Sequence, residues 1–92
     1  MRLEIIFSHQ AKKFVLKNSN LVSAEKIADA VELAIRKILL REVNQADVIM
    51  LRGQWKGHWR VRVGGIRAIF RYEGGDPVIV NIEKIEHRGS VY

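Results

Sequence analysis

Two alternating runs joined by Gly64-Gly65 constrain this chain more than any other feature. His58 to Val63 and Ile66 to Tyr72 each alternate at the period of a β-strand. A glycine pair between such runs predicts a two-residue β-hairpin. That loop length dictates register: Val63 faces Ile66, Arg62 faces Arg67, Val61 faces Ala68, Arg60 faces Ile69, Trp59 faces Phe70 and His58 faces Arg71. Cross-strand partners project to the same side. One face therefore holds Trp59, Val61, Val63, Ile66, Ala68, Phe70 and Tyr72, and the other His58, Arg60, Arg62, Arg67, Ile69 and Arg71. The first reads as core and the second as almost wholly cationic.

Charge sharpens this reading. From Val48 to Tyr72 there is no acid, while Arg52, Lys56, Arg60, Arg62, Arg67 and Arg71 supply six positive charges, matching the net +6 of the whole 92-residue chain. Like charges directly opposite on a sheet cost roughly 0.2–1 kcal/mol per pair, and a face shaped only for solubility mixes signs. Arginines held outward on a sheet suit bidentate binding of phosphate. The expected partner is a polyanion, nucleic acid foremost.

The flanks supply the rest of a fold. Arg2 to Phe7 reads as a first strand, and Ser8 as the N-cap of a helix from His9 to about Lys17. After the polar break at Asn18-Ser19-Asn20, a second helix capped by Ser23 runs to about Glu42, its apolar stripe being Ile27, Val31, Ala34, Ile35 and Ile38. Val43 to Gly57 reads as a connection, anchored on the core by Val48, Met50 and Leu51. Glu73 to Pro77 is a turn, and Val78 to about Ile85 a last strand. Setting Val78 opposite Tyr72 puts Val78, Val80 and Ile82 on the core and Glu83 opposite Arg67, the only acid near the cationic face. The expectation is one α+β domain spanning residues 1–92: an N-terminal strand, a two-helix hairpin on one sheet face, and a three-stranded antiparallel meander.

Several function classes are disfavoured. The absence of cysteine excludes disulfides and thiolate metal sites and points to a reducing cytoplasm. No run of about 18 apolar residues is present to span a membrane, and MRLEIIFSHQ lacks the pattern of a signal peptide. The three histidines lack metal-ligand spacing, so no metal or cofactor is expected. Gly64-Gly65 and Gly74-Gly75 are turns, since neither opens a helix. A guanidinium cluster, imidazoles at His58 and His87, and a tyrosine at Tyr92 remain. That set suits stabilising a phosphorane and moving protons during phosphodiester cleavage.

Leu51-Arg52-Gly53, then Trp59-Arg60-Val61-Arg62-Val63-Gly64 with Ile66-Arg67-Ala68-Ile69-Phe70, then His87-Arg88-Gly89-Ser90-Val91-Tyr92, resemble the RelE/ParE toxin superfamily. The resemblance covers essentially the whole chain and implies a RelE-like microbial RNase fold. It implies a ribosome-dependent endoribonuclease, an mRNA interferase of a type II toxin–antitoxin pair, in which the substrate 2′-hydroxyl attacks the adjacent phosphate. Arg52 matches the family arginine of LRG, Arg60 and Arg62 its basic pair, Arg67 its next-strand arginine and Tyr92 its near-terminal tyrosine, while Arg88 stands for its late arginine. The best-known member has lysines where this chain has Arg60 and Arg62, and arginine is a poor proton donor or acceptor. His58 or His87 is therefore expected as the general acid or base, with Trp55, Arg52, Lys56 and Arg71 contacting RNA. The implied partners are an antitoxin, in a toxin–antitoxin hetero-oligomer, and the ribosome with its mRNA, and no membrane. The alternative branch is a ParE-like toxin that inhibits DNA gyrase without cutting RNA.

Overall fold

Strand alternation on one side and two amphipathic helices on the other give a two-layer α+β fold, described for residues 1–89 by a computed structural model. The elements are β1 (Leu3–Phe7), α1 (His9–Lys17), α2 (Ala24–Leu39), β2 (Asp47–Met50), a short 3-10 turn (Gly53–Trp55), β3 (Trp59–Val63), β4 (Ile66–Glu73) and β5 (Val78–His87). The strands form one mixed sheet in the order β1-β5-β4-β3-β2, with β1 parallel to β5 and the other neighbours antiparallel. Tyr92 lies outside the described residues. No helix among the described residues is long and apolar enough to cross a membrane.

The β3–β4 hairpin has the expected register from Trp59/Phe70 to Val63/Ile66, the ladder beginning at Trp59 and leaving His58 outside it. Only the first turn glycine needs its freedom: Gly64 has φ 57°, and Gly65 is not in the positive-φ region. A Cβ on Gly65 would meet Leu21 Cδ1 at 3.7 Å, an ordinary contact. Gly64→Ala is thus expected to cost about 1–2 kcal/mol, the left-handed penalty of an L-residue. Gly65→Ala is expected to leave the denaturant midpoint nearly unchanged; equal midpoint shifts for the two would refute this account of the turn.

The helices begin as their caps dictate. Ser8 Oγ accepts from the Ala11 N–H at 3.1 Å and Ser23 Oγ from the Lys26 N–H at 3.1 Å. The α2 stripe buries Ile27, Val31, Ala34 and Ile35 completely against Val61, Ile66, Ala68, Phe70, Val80, Ile82 and Ile85 of the sheet. Trp59, Val63 and Tyr72 pack at the margin of this core. The second helix stops at Leu39, short of Glu42, because Arg41 turns into the left-handed region with φ 55°.

The stretch expected as a connection contains a fourth antiparallel strand. Asn44 Nδ2 donates to Leu33 O at 3.0 Å, Asn44 Oδ1 accepts from Ala46 N, and Lys37 Nζ donates to Ala46 O at 2.9 Å. These bonds tie residues 44–46 to α2 and deliver Asp47–Met50 to the free edge of β3. Val48 meets the core there, but Met50 is 61% exposed and anchors nothing.

The last strand also departs from expectation. Val80, not Val78, opposes Tyr72; this two-residue slip preserves the core face. Between Ile69/Lys84 and Phe70/Ile82 the register shifts, leaving Glu83 without a partner on β4, a β-bulge. The bulge is held from outside by α1: Ser8 Oγ donates to Glu83 O at 2.7 Å, and the Gln10 amide exchanges two hydrogen bonds with the Ile85 backbone. Beyond it side-chain parity reverses, so Ile85 enters the core, His87 lies opposite Ile66 on the helix side, and Lys84 and Glu86 emerge on the arginine side.

Candidate nucleic-acid interface

On the helix-free face the cross-strand register writes two rows. One reads Asp47–Arg62–Arg67–Glu86 from β2 to β5, and the next Ile49–Arg60–Ile69–Lys84. In the first row the adjacent arginines repel, and a carboxylate at each end compensates. Asp47 Oδ2 lies 3.6 Å from Arg62 Nη1, and Glu86 Oε2 accepts from Arg67 Nε at 2.6 Å. In the second row Arg60 runs between two isoleucines, which cover its stem.

This environment leaves Arg60 7% exposed, the only buried charged residue among those described. Its Nη1 has no hydrogen-bond partner and lies 3.8 Å from Asp47 Oδ1. Burial first, then the charge of Arg62, with smaller contributions from Arg67 and Arg88, holds the Arg60 guanidinium below its ordinary pKa, while Asp47 pulls the other way. Arg60 thus combines burial, an unpartnered donor and a second arginine beside it on the same strand face, with Asp47 as the nearby carboxylate.

Arg60, Arg62 and Arg67 open onto one cavity of about 280 Å³, completed by Ile49, Leu51, Trp55, Ile69 and Glu86. Leu51 N donates to His58 O at 2.9 Å and His58 N to Trp55 O at 3.0 Å, so the β2–β3 loop closes on itself and sets Trp55 at the cavity wall. His58 packs edge-on against Trp55, centroids 5.0 Å apart, with its Nδ1 buried and unpartnered. Arg52 and Lys56 are exposed on the same loop. Arg71 stands further along β4, its Nε bonded to Glu83 Oε2 at 3.1 Å. Arg88 reaches back from the end of β5 to donate through Nη1 to Gly64 O at 2.9 Å.

Two expectations are corrected here. The face is not purely cationic, nor is Glu83 its only acid: Asp47 arrives on a strand unseen in the sequence, and the bulge brings Glu86, not Glu83, opposite Arg67. His87 does not join the cluster. The same bulge turns it to the far side of the sheet, where its ring meets Phe14 at 4.9 Å beside Gln10, Lys13 and Lys17. Asp47 and Glu86 were the residues that sequence reasoning missed. An acid four residues before Leu51 was visible, but nothing local marked it as a strand residue.

Comparison with protein-family models and with curated protein sequences gives no match. Solved structures do match in fold. The YoeB/ParE toxin from Agrobacterium tumefaciens superposes with a TM-score of 0.65 at 19% identity, covering 96% of this chain and 99% of that one. In the RelBE2 toxin–antitoxin complex from Mycobacterium tuberculosis the values are 0.60 and 22%, covering 96% and 100%. For the E. coli DinJ–YafQ complex they are 0.60 and 20%, covering 100% and 99%. The chain thus has the fold of the RelE/YoeB/YafQ toxins, as its own motifs led one to expect.

Proposed function

We propose that this protein is the toxin of a type II toxin–antitoxin pair and cuts messenger RNA on the ribosome. The observation that carries this reading is the cavity itself, where three guanidinium groups face one carboxylate and the buried Arg60 Nη1 lacks an acceptor. Arg60, Arg62 and Arg67 would hold the non-bridging oxygens of the scissile phosphate and stabilise the charge that grows on them as the 2′-hydroxyl attacks. Trp55 offers a surface for a neighbouring base. Arg52, Lys56 and Arg71 would take flanking phosphates, positioning rather than reacting. With His87 on the opposite side of the sheet, His58 is the imidazole left to protonate the departing 5′ oxygen. Arginine cannot do so at neutral pH. The partner is an antitoxin, in line with the DinJ–YafQ and RelBE2 structures, which are toxin–antitoxin complexes.

The test is to add purified protein to mRNA-programmed ribosomes and, in parallel, to gyrase with supercoiled plasmid. Codon-phased cuts are expected in the first assay and no stalled cleavage complex in the second; the reverse result would select a ParE-like toxin. His58→Ala is expected to slow cutting about 100-fold or more, the usual worth of a positioned proton donor. An unchanged rate would remove the imidazole from the mechanism.

A further inference from the structure

Of the residues lining the arginine cavity, the three arginines are charged donors that cannot give up a proton, and Ile49, Leu51, Ile69 and Trp55 have no group that accepts one. Glu86 is the exception. Its Oε2 sits 2.6 Å from Arg67 Nε and its Oε1 3.5 Å from Lys84 Nζ, with the side chain only 27% exposed. Because Glu86 occupies Arg67 through Nε, the two Nη groups remain to hold an anion, and a phosphate there lies beside the carboxylate. Glu86 offsets the repulsion between Arg62 and Arg67 as Asp47 does at the other end of the row, but unlike Asp47 it also lines the cavity. Cleavage by the 2′-hydroxyl needs a proton acceptor next to the phosphate, and Glu86 is the lining residue that can be one.

Resting on the ribonuclease reading above, we propose that Glu86 is the general base. Its carboxylate takes the proton of the 2′-hydroxyl as the 2′ oxygen bonds to phosphorus. The bond from phosphorus to the 5′ oxygen breaks, and that oxygen leaves with a proton from His58. Exchange with solvent then returns one proton to His58 and removes one from Glu86, so the cycle closes without a co-reactant. Arg67 aims Glu86, while Asp47, outside the cavity lining and 52% exposed, balances Arg60 and Arg62 from the rim.

Glu86→Gln separates this role from a merely supporting one. The amide oxygen still accepts from Arg67 Nε but cannot take up the proton. The variant is expected to bind a non-cleavable 2′-deoxy-substituted mRNA on programmed ribosomes at least as tightly as wild type, since a negative charge has gone, yet to cut the all-ribose mRNA about 100-fold or more slowly. If wild type cuts and Glu86→Gln cuts within about threefold of it, far short of a general base's usual share, the assignment to Glu86 falls and the ribonuclease reading stands. If Glu86→Gln loses binding and rate together, Glu86 is a positioning residue for Arg67 and the assignment also falls. If wild type leaves mRNA intact, both fall.

Discussion

Replacing Arg60 with methionine is expected to make the protein more stable and abolish its action on RNA. Arg60 is 7% exposed, its Nη1 lacks a partner, and its nearest carboxylate, on Asp47, stands 3.8 Å away without a hydrogen bond. An unsatisfied buried donor costs about 1–3 kcal/mol, more if charged, and exchanging buried ions for apolar groups of like volume often gains about 1–4 kcal/mol. A guanidinium whose pKa is lowered in the fold binds its proton less tightly there than in the unfolded chain. Below both values, and hence throughout neutral pH, the charged form subtracts from stability; the deficit begins to lift as pH rises through the folded value and is gone only above the unfolded one. Methionine is unbranched, apolar and of similar length, its neighbours in the row are Ile49 and Ile69, and Asp47 is exposed enough to be solvated alone. The measurement is the denaturant midpoint of Arg60→Met beside its mRNA cleavage. A midpoint below that of wild type would show that Arg60 is a structural ion, not a charge kept for a ligand.

Deleting Glu83 is expected to leave the chain folded, with the later residues of β5 on their present faces. Its side chain matters little: Glu83→Ala loses one half-exposed ion pair with Arg71 and should cost at most about 1 kcal/mol. Its backbone makes the bulge, the one extra residue between the pairs Phe70/Ile82 and Ile69/Lys84. Removing it makes those pairs consecutive, so Ile85 keeps its place in the core and Lys84 and Glu86 stay on the arginine side. What is lost besides the ion pair is the bond from the Ser8 hydroxyl to the Glu83 carbonyl, and a hydrogen bond is worth about 0.5–1.5 kcal/mol net. The shortened chain is therefore expected to keep a cooperative unfolding transition, with a denaturant midpoint only modestly below wild type. Loss of that transition would mean that the bulge itself, and not the alternation on either side of it, holds the end of β5 in place.

These two residues mark where reading the chain unaided succeeds and stops. Arg60 was identifiable at once as part of an arginine set on one face of a hairpin, because Gly64-Gly65 and strict alternation leave a single register. Its burial was not, since Ile49, which flanks it from β2, belongs to a stretch without a periodic signal. Glu86 was misplaced because one unpaired residue inverts every later side chain, and no residue type announces such a bulge.

Local chemistry alone thus determined the helix caps at Ser8 and Ser23, the α2 stripe, the hairpin register and the face on which the arginines stand. Each depends on neighbours within a few residues or on the pitch of one element. Only the tertiary structure decided that Asp47 joins the sheet edge, that α1 holds a bulge in β5 through Ser8 and Gln10, and hence that Glu86 stands by Arg67 and His87 does not. Those outcomes hang on hydrogen bonds between segments as many as 75 residues apart, whose geometry exists only once the layers have packed.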